Sequence, residues 1–415
     1  MQYQLTAPER LCATIALPAS KSISNRALIL HALSRGNTAP QNLSNCDDTR
    51  VMLQAFREWP ETIDILAAGT AMRFLTAYLS VTPGTHLITG TWRMQHRPIR
   101  ILVDALRALG AEIKYAGEEG FPPLRITGSV LEGSEITLPG HVSSQYISAL
   151  LMIAPTLPHG LRLYLTGELI SRPYIQLTLS LMHHYGATAR WENEHTLKVE
   201  PGGYQDRPFL VESDWSGASY WYQLMALHGL KQTDKDAAIE LLGLFPDSCQ
   251  GDSRGAELFA RLGVHTEFTD RGILLTHIPV SADKLEEDFT DIPDLAQTFV
   301  VTCCLMNVTF RFTGLQSLKI KETDRITALI TELRKLGYII HAEKDSILYW
   351  NGERCEAKAQ PIIVTYEDHR MAMAFAPAAI QQPSLRIDHP EVVSKSYPRY
   401  WEDLKQAGFL VHETI

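Results

Sequence analysis

Five times along this 415-residue chain, a helix-like segment stops at a glycine and passes directly into a β-like run. The segments read LVDALRALGAEIKY, LSLMHHYGATARW, GAELFARLGVHTEF, TALITELRKLGYIIHA and YWEDLKQAGFLVHE. Their glycines, Gly110, Gly186, Gly263, Gly337 and Gly408, are separated by 76, 77, 74 and 71 residues. A helix that closes this way needs positive φ at the residue after its last turn, which glycine accepts at least steric cost. The spacing is too long for common solenoid repeats and fits a repeated α/β subdomain.

Between these marks lies a second set of helix-like segments, each with a polar start. They are SKSISNRALILHALS, GTAMRFLTAYLS, SSQYISALLMIAP, SDWSGASYWYQLMAL, DLAQTFVVTCCLM and DHRMAMAFAPAAI. The pattern amounts to six units, the first shortened near Trp59. Ser, Thr or Asp at a helix start caps the chain, and the free N–H groups there also favour anions. A chain of this length exceeds one ordinary core and suggests two domains of three units each. We place the boundary near Val211–Asp214, giving a first domain of 19–212 and a second of 213–415 joined by residues 1–18. A cleft between two such domains is a natural ligand site.

Charge excludes several functions. The formal net charge is −9, so a nucleic-acid or anionic-membrane surface is not expected, and any anion site must be a local concentration of cations. No stretch approaches the ~18–20 apolar residues that span a bilayer, and the N-terminus lacks the apolar core of a signal peptide. Six cysteines occur without a CxxC pair or a neighbouring His, so we expect no metal site and a reduced, cytoplasmic setting.

The cations that stand out fall at helix starts or strand-to-helix junctions. Lys21 and Arg26 lie in P-A-S-K-S-I-S-N-R, Arg97 in R-M-Q-H-R-P-I, Lys321 and Arg325 in K-I-K-E-T-D-R, Arg370 in E-D-H-R-M-A-M and Lys395 in V-V-S-K-S-Y-P. Taken singly, each is more often a solvated or salt-bridged side chain; at comparable places in a repeat, together they point to a shared anion site. Ser20 and Ser22 flank Lys21, and Gly69-Thr70 lets a ligand approach the backbone. Ser143, Ser144 and Gln145 add uncharged donors, although S-S-Q alone reads as an ordinary N-cap. Such a set suits a phosphate and a polyol, since phosphate accepts many hydrogen bonds and Arg binds it bidentately. Asp294 and Glu322 are acids among these cations and candidates for proton transfer, whereas Asp324 reads as a salt-bridging residue. His369 is either an acid–base group or a structural donor. No Walker A or G-x-G-x-x-G sequence supports nucleotide binding.

Together the runs P-x-S-K-S-x-S-N-R, G-T-A-M-R, R-M-x-x-R-P-I, S-S-Q, K-E-T-D-R and D-H-R-M-A-M resemble the enolpyruvyl transferase family, in the branch whose acceptor is shikimate 3-phosphate. The resemblance runs from Pro18 almost to the C-terminus. It implies an α/β fold of two domains, each with three βαβαββ units, and an active site in the interdomain cleft. It also implies transfer of the enolpyruvyl group of phosphoenolpyruvate to the 5-hydroxyl of shikimate 3-phosphate, without metal or cofactor, by a monomer.

By the same resemblance, shikimate 3-phosphate would be held by Lys21, Ser22, Arg26, Ser143, Ser144, Gln145, Ser171, Tyr174, Asp294, Ser317 and Lys321. Phosphoenolpyruvate would be held by Lys21, Gly69, Thr70, Arg97, Gln145, Arg325, His369, Arg370 and Lys395. Asp294 would take the hydroxyl proton, Glu322 would exchange the proton at the vinyl methylene, and Lys21 and Lys321 would lie between the ligands. The chain departs from the family pattern at Ala67, where Asn is common, at Ser317 for Asn, and at Phe74 for Pro. The sister enzyme that uses a UDP-linked amino sugar typically carries a reactive Cys in a loop that here reads T-G-T-W-R-M-Q-H-R-P, with none. A non-catalytic anion-binding relative is the remaining alternative.

Overall fold

The computed structural model describes residues 1–231, 234–383 and 385–414. Its five four-stranded sheets share one plan. In the sheet of Glu135–Pro139, Leu161–Thr166, Thr196–Val199 and Ala189–Asn193, the first two strands are parallel and the others antiparallel. A parallel pair requires a crossover, which a helix supplies; the second helix then leads into a hairpin. The same order recurs in Thr62–Asp64, Gly84–Thr89, Leu124–Gly128 and Glu112–Tyr115, and in Lys284–Asp288, Thr309–Thr313, Ile347–Trp350 and His341–Glu343.

Two sheets are completed by the N-terminal strands. Cys12–Ala16 runs parallel to Ala238–Leu242, with Ile15 opposite Leu241. Gln2–Thr6 lies antiparallel between Arg386–Asp388 and Leu410–Thr414. The shortened first unit has its two helices, but among the described residues it has only an isolated bridge, Gln41 to Leu210, in place of a sheet. The chain divides into two compact units, Ala19–Val211 and Met1–Pro18 with Glu212–Ile415.

The repeated glycines close their helices as the sequence predicts. All five have φ between 86° and 109°. At Gly110 the glycine N–H donates to Arg107 O and the next N–H to Leu106 O, both at 2.9 Å, satisfying carbonyls that a helix end leaves open.

Eight helices carry the residues of interest. In the Ala19–Val211 unit these are α1 (Lys21–Ser34), α2 (Gly69–Ser80), α3 (Ser144–Ile153) and α4 (Arg172–His184), packed against one another. In the other unit they are α5 (Trp215–Gly229), α6 (Ala296–Met306), α7 (Arg325–Lys335) and α8 (His369–Phe375). Every residue of α2, α6 and α8 is buried, so these are central helices and not amphipathic covers. Phe259, Phe289, Phe299, Phe310 and Phe312 pack ring against ring in the core around α6. Among the described residues, no helix is long and apolar enough to cross a membrane.

Candidate active site

Helix starts position most of the polar side chains singled out above. In the Ala19–Val211 unit, Ser20 caps α1 by accepting from Ile23 N, which sets Lys21 and Ser22 in its first turn. Ser143 caps α3 in the same way through Gln145 N. Gln145 Nε2 then donates to Thr70 Oγ1 at 3.2 Å, joining the first turns of α2 and α3.

Ser171 precedes α4 with φ 56° and ψ 37°, and its hydroxyl does not cap the helix. A left-handed serine carries backbone strain, and such strain commonly marks a functional position. Tyr174 follows in the first turn of α4, half-buried.

Arg26 is tied into the protein more tightly than its sequence position suggests. Its Nε donates to Thr178 Oγ1 at 2.7 Å, Nη1 to Ser22 O at 2.9 Å, and Nη2 to Ser148 Oγ at 3.1 Å. The guanidinium lies 5.2 Å from the centroid of Phe74 and 6.0 Å from that of Tyr174, at cation–π range. Phe74, one of the three departures from the family pattern, therefore supplies a face for this arginine. Ala67 is exposed and offers no polar group.

Gly69 leaves room for Arg97. A Cβ there would lie 2.7 Å from Arg97 Nη1, so only glycine lets that guanidinium rest on the start of α2. Arg73, which sequence reasoning left out, holds the pieces together. Its Nη1 donates to Gly69 O at 3.1 Å and its Nη2 to Pro98 O at 3.3 Å, while Tyr146 OH also donates to Pro98 O at 2.6 Å.

In the unit formed by Met1–Pro18 and Glu212–Ile415, six of the expected residues form one ion network. Arg325, the first residue of α7, donates to Glu322 Oε2 at 3.0 Å and to Asp294 Oδ1 at 3.4 Å. Arg370 Nη2 donates to Asp294 Oδ2 at 2.9 Å, and its Nη1 donates to Asp294 O at 3.2 Å. Lys321 Nζ lies 3.6 Å from Asp294 Oδ1, and Lys395 Nζ lies 2.9 Å from Glu322 Oε1. Asp324 caps α7 through Thr327 N and pairs with Lys319 at 2.7 Å, the structural role expected of it.

Asp368 is the hub that the sequence did not reveal. It accepts from Arg325 Nε at 2.7 Å and Nη2 at 3.2 Å, and it caps α8 through Arg370 N at 2.9 Å. Its side chain is fully buried, and that of Arg325 is 1 % exposed. The only sequence signal was an acid directly before His369-Arg370, as common in a helix cap as in a site.

His369 is buried, with Nδ1 3.7 Å from Asp368 Oδ1. Ser317 Oγ is buried without a hydrogen-bond partner among the described residues. Burial disfavours the charge on Arg325, but Asp368, Glu322 and Asp294 outweigh it and hold the guanidinium above its ordinary value. Four cations thus meet three carboxylates in a partly dry setting, one net positive charge that an incoming anion can claim.

Comparison with known proteins places this geometry in context. The family described as EPSP synthase (3-phosphoshikimate 1-carboxyvinyltransferase) matches residues 5–64 and 58–404. A 3-phosphoshikimate 1-carboxyvinyltransferase of Bacteroides fragilis is 67% identical over 409 residues, covering 99% of this chain and 98% of its own. One of Shewanella halifaxensis is 36% identical, covering 96% and 98%. Among solved structures, EPSP synthase of Acinetobacter baumannii superposes with a TM-score of 0.77 at 22% identity, covering 99% of this chain and 100% of its own. An enolpyruvyl transferase of Streptomyces tendae reaches 0.73 at 15% identity, covering 100% and 98%. At such identities these two speak for the fold alone.

Proposed function

Since the chain belongs to the EPSP synthase (3-phosphoshikimate 1-carboxyvinyltransferase) family, we propose that residues of both polar clusters supply the ligands for the two substrates of that reaction. The enzyme transfers the carboxyvinyl group of phosphoenolpyruvate to the 5-hydroxyl of shikimate 3-phosphate and releases phosphate. The ion network around Arg325 is the observation that carries the assignment of residues.

Addition of an alcohol to C2 of an enol phosphate requires a base at the hydroxyl and an acid at the methylene. Elimination of phosphate from the tetrahedral intermediate reverses those demands. In our reading Asp294 is the base and Glu322 the proton carrier at the methylene. Lys321 lies beside the first acid and Lys395 beside the second, so each has a cation at hand as charge moves.

Arg325, Arg370, His369, Lys395 and Arg97, with the backbone of Gly69 and Thr70, are assigned to the carboxylate and phosphate of phosphoenolpyruvate. Ser22, Ser143, Ser144, Ser171, Tyr174 and Ser317 are assigned to shikimate 3-phosphate, with Lys21 and Gln145 serving both. Arg26 belongs to this second set chiefly as the scaffold that fixes Ser22, Ser148 and Thr178. Arg370 and Lys395 pair with Asp294 and Glu322. Substrate anions would draw these cations away and release both carboxylates for proton transfer. A monomer acting in the cytoplasm, with all catalytic groups from one chain, completes the reading.

The test is phosphate release from phosphoenolpyruvate, with shikimate 3-phosphate and a UDP-linked amino sugar as rival acceptors. Release with shikimate 3-phosphate alone is expected. Release only with the sugar would assign the sister reaction, and release with neither would leave an anion-binding protein.

A further inference from the structure

A buried carboxyl beside the Asp294 network has no part in the roles assigned above. Asp252 sits in the 3₁₀ turn Gly251–Arg254, 4% exposed. One of its oxygens accepts a hydrogen bond from Ser216 Oγ; the other, Oδ1, is buried without a partner among the described residues. A bare interior oxygen is tolerable on a neutral carboxyl and costly on a charged one.

The surroundings lead back to the network. Ser216 stands in the first turn of α5, and Tyr220 follows one turn later on the same face. Arg370 Nη1 donates to Tyr220 OH at 3.5 Å, and Arg370 in turn holds Asp294. The helix Gly255–Arg261, which begins just after Asp252, packs against the residue that follows Asp294. A Cβ on Gly255 would lie 3.1 Å from Leu295 Cδ1.

We propose that Asp252 is a positioning residue for the transfer reaction, acting through Ser216 and α5 on Arg370 and Asp294 without touching substrate. Burial first, and then the charge of Asp294, push its carboxyl up to about 7, with Asp214 adding to the rise. Arg370 and the Ser216 hydroxyl pull the other way. Of the charged residues next to it in the chain, Arg254 pairs with Glu287 at 3.1 Å and Glu257 is exposed. Tyr220, pushed up to about 12 by burial, stays a hydroxyl throughout the working range.

Protonated, Asp252 leaves the positive balance of the network intact for an incoming phosphate and carboxylate. Ionised, it sets a second negative charge near Asp294 and cancels part of the attraction of Arg370 for the anion. The inference rests on the reading of Asp294 and Arg370 as active groups, which phosphate release by the wild type tests separately.

The experiment is the pH profile of kcat/KM for phosphoenolpyruvate at saturating shikimate 3-phosphate, which reports groups of the free enzyme. The wild type is expected to lose kcat/KM as pH rises through about 7. Asp252→Asn should carry that limb upward, so that the variant-to-wild-type ratio grows roughly tenfold between pH ~6.5 and ~8.5. Ser216→Ala removes a hydrogen bond that favours the charged form, and should shift the limb the same way by less. It also serves if Asp252→Asn fails to fold.

Stability gives a second readout. The folded carboxyl lies above its ordinary value of 3.8, so its stabilising contribution is complete below that pH and lost as pH rises through about 7. Urea unfolding should therefore show Asp252→Asn gaining on the wild type across that window. A purely structural role would lower activity equally at every pH. An active wild type whose limb neither variant moves, or a stability difference flat with pH, overturns the proposal.

Discussion

Replacing Asp368 by Asn tests whether this acid organises the network around Arg325. The substitution keeps shape and a capping oxygen for Arg370 N, but it removes the charge opposite a guanidinium that is 1 % exposed. Losing one partner of a buried pair costs about 3–5 kcal/mol when the other charge is left alone. Arg325 would not be alone, because Glu322 at 3.0 Å and Asp294 at 3.4 Å remain. Hydrogen bonds to charged groups contribute about 1.5–3 kcal/mol each, and two to Arg325 are weakened or lost. The lower end of the first range, about 3 kcal/mol, is therefore expected.

Asp368→Ala should lose about 1 kcal/mol more, because the cap of α8 goes with it. The assay is urea unfolding followed by circular dichroism, fitted with a separate transition for each compact unit. The transition assigned to the Glu212–Ile415 unit should move down by about 1–2 M urea for Asn. In the folded variant, Arg325 should draw Glu322 and Asp294 closer, raising KM for phosphoenolpyruvate more than it lowers kcat. A midpoint within about 0.2 M of the wild type would refute the reasoning, since Arg325 would then not depend on Asp368.

Three further outcomes are expected. Gly69→Ala should push Arg97 aside, because the added carbon would lie 2.7 Å from its Nη1; KM for phosphoenolpyruvate should rise about tenfold or more with little change in folding, as steady-state kinetics and thermal melts would reveal. Glu322→Gln keeps a hydrogen-bond acceptor for Arg325 but cannot carry the proton. Its kcat should fall by about a hundredfold or more while substrate affinity, measured by calorimetry, changes far less; near-normal turnover would remove Glu322 from the proton path. Asp324→Ala removes the cap of α7 and one of the carboxylates paired with Lys319, so melting should occur at lower temperature by about 1 kcal/mol of stability. Intact melting with lost activity would contradict the purely structural role given to Asp324.

The helix starts and glycine closures were legible in the chain because they are local. A capping Ser at 20 or 143, or a glycine at 110 with φ 109°, acts on neighbours a few residues away. The motif residues Lys321, Glu322 and Arg325 fall together because they are neighbours in the chain, the first two in the bend that leads into α7 and Arg325 at its first position. Arg26 shows where local reading stops. Its motif suggested a ligand contact, yet it also donates to Thr178 and Ser148, residues 152 and 122 positions away.

Sequence by itself thus determined the family, the repeated α/β plan and the chemistry available at each helix start, all of which depend on short-range spacing and residue type. Tertiary structure alone decided the partners. Asp368 binds Arg325 across 43 residues, Arg370 reaches Asp294 across 76, and Asp252 meets Ser216 across 36. The physical reason is that an ion pair or a buried carboxyl depends on distance and exposure. Those quantities exist only once sheets and central helices have packed, and they bear no fixed relation to separation along the chain.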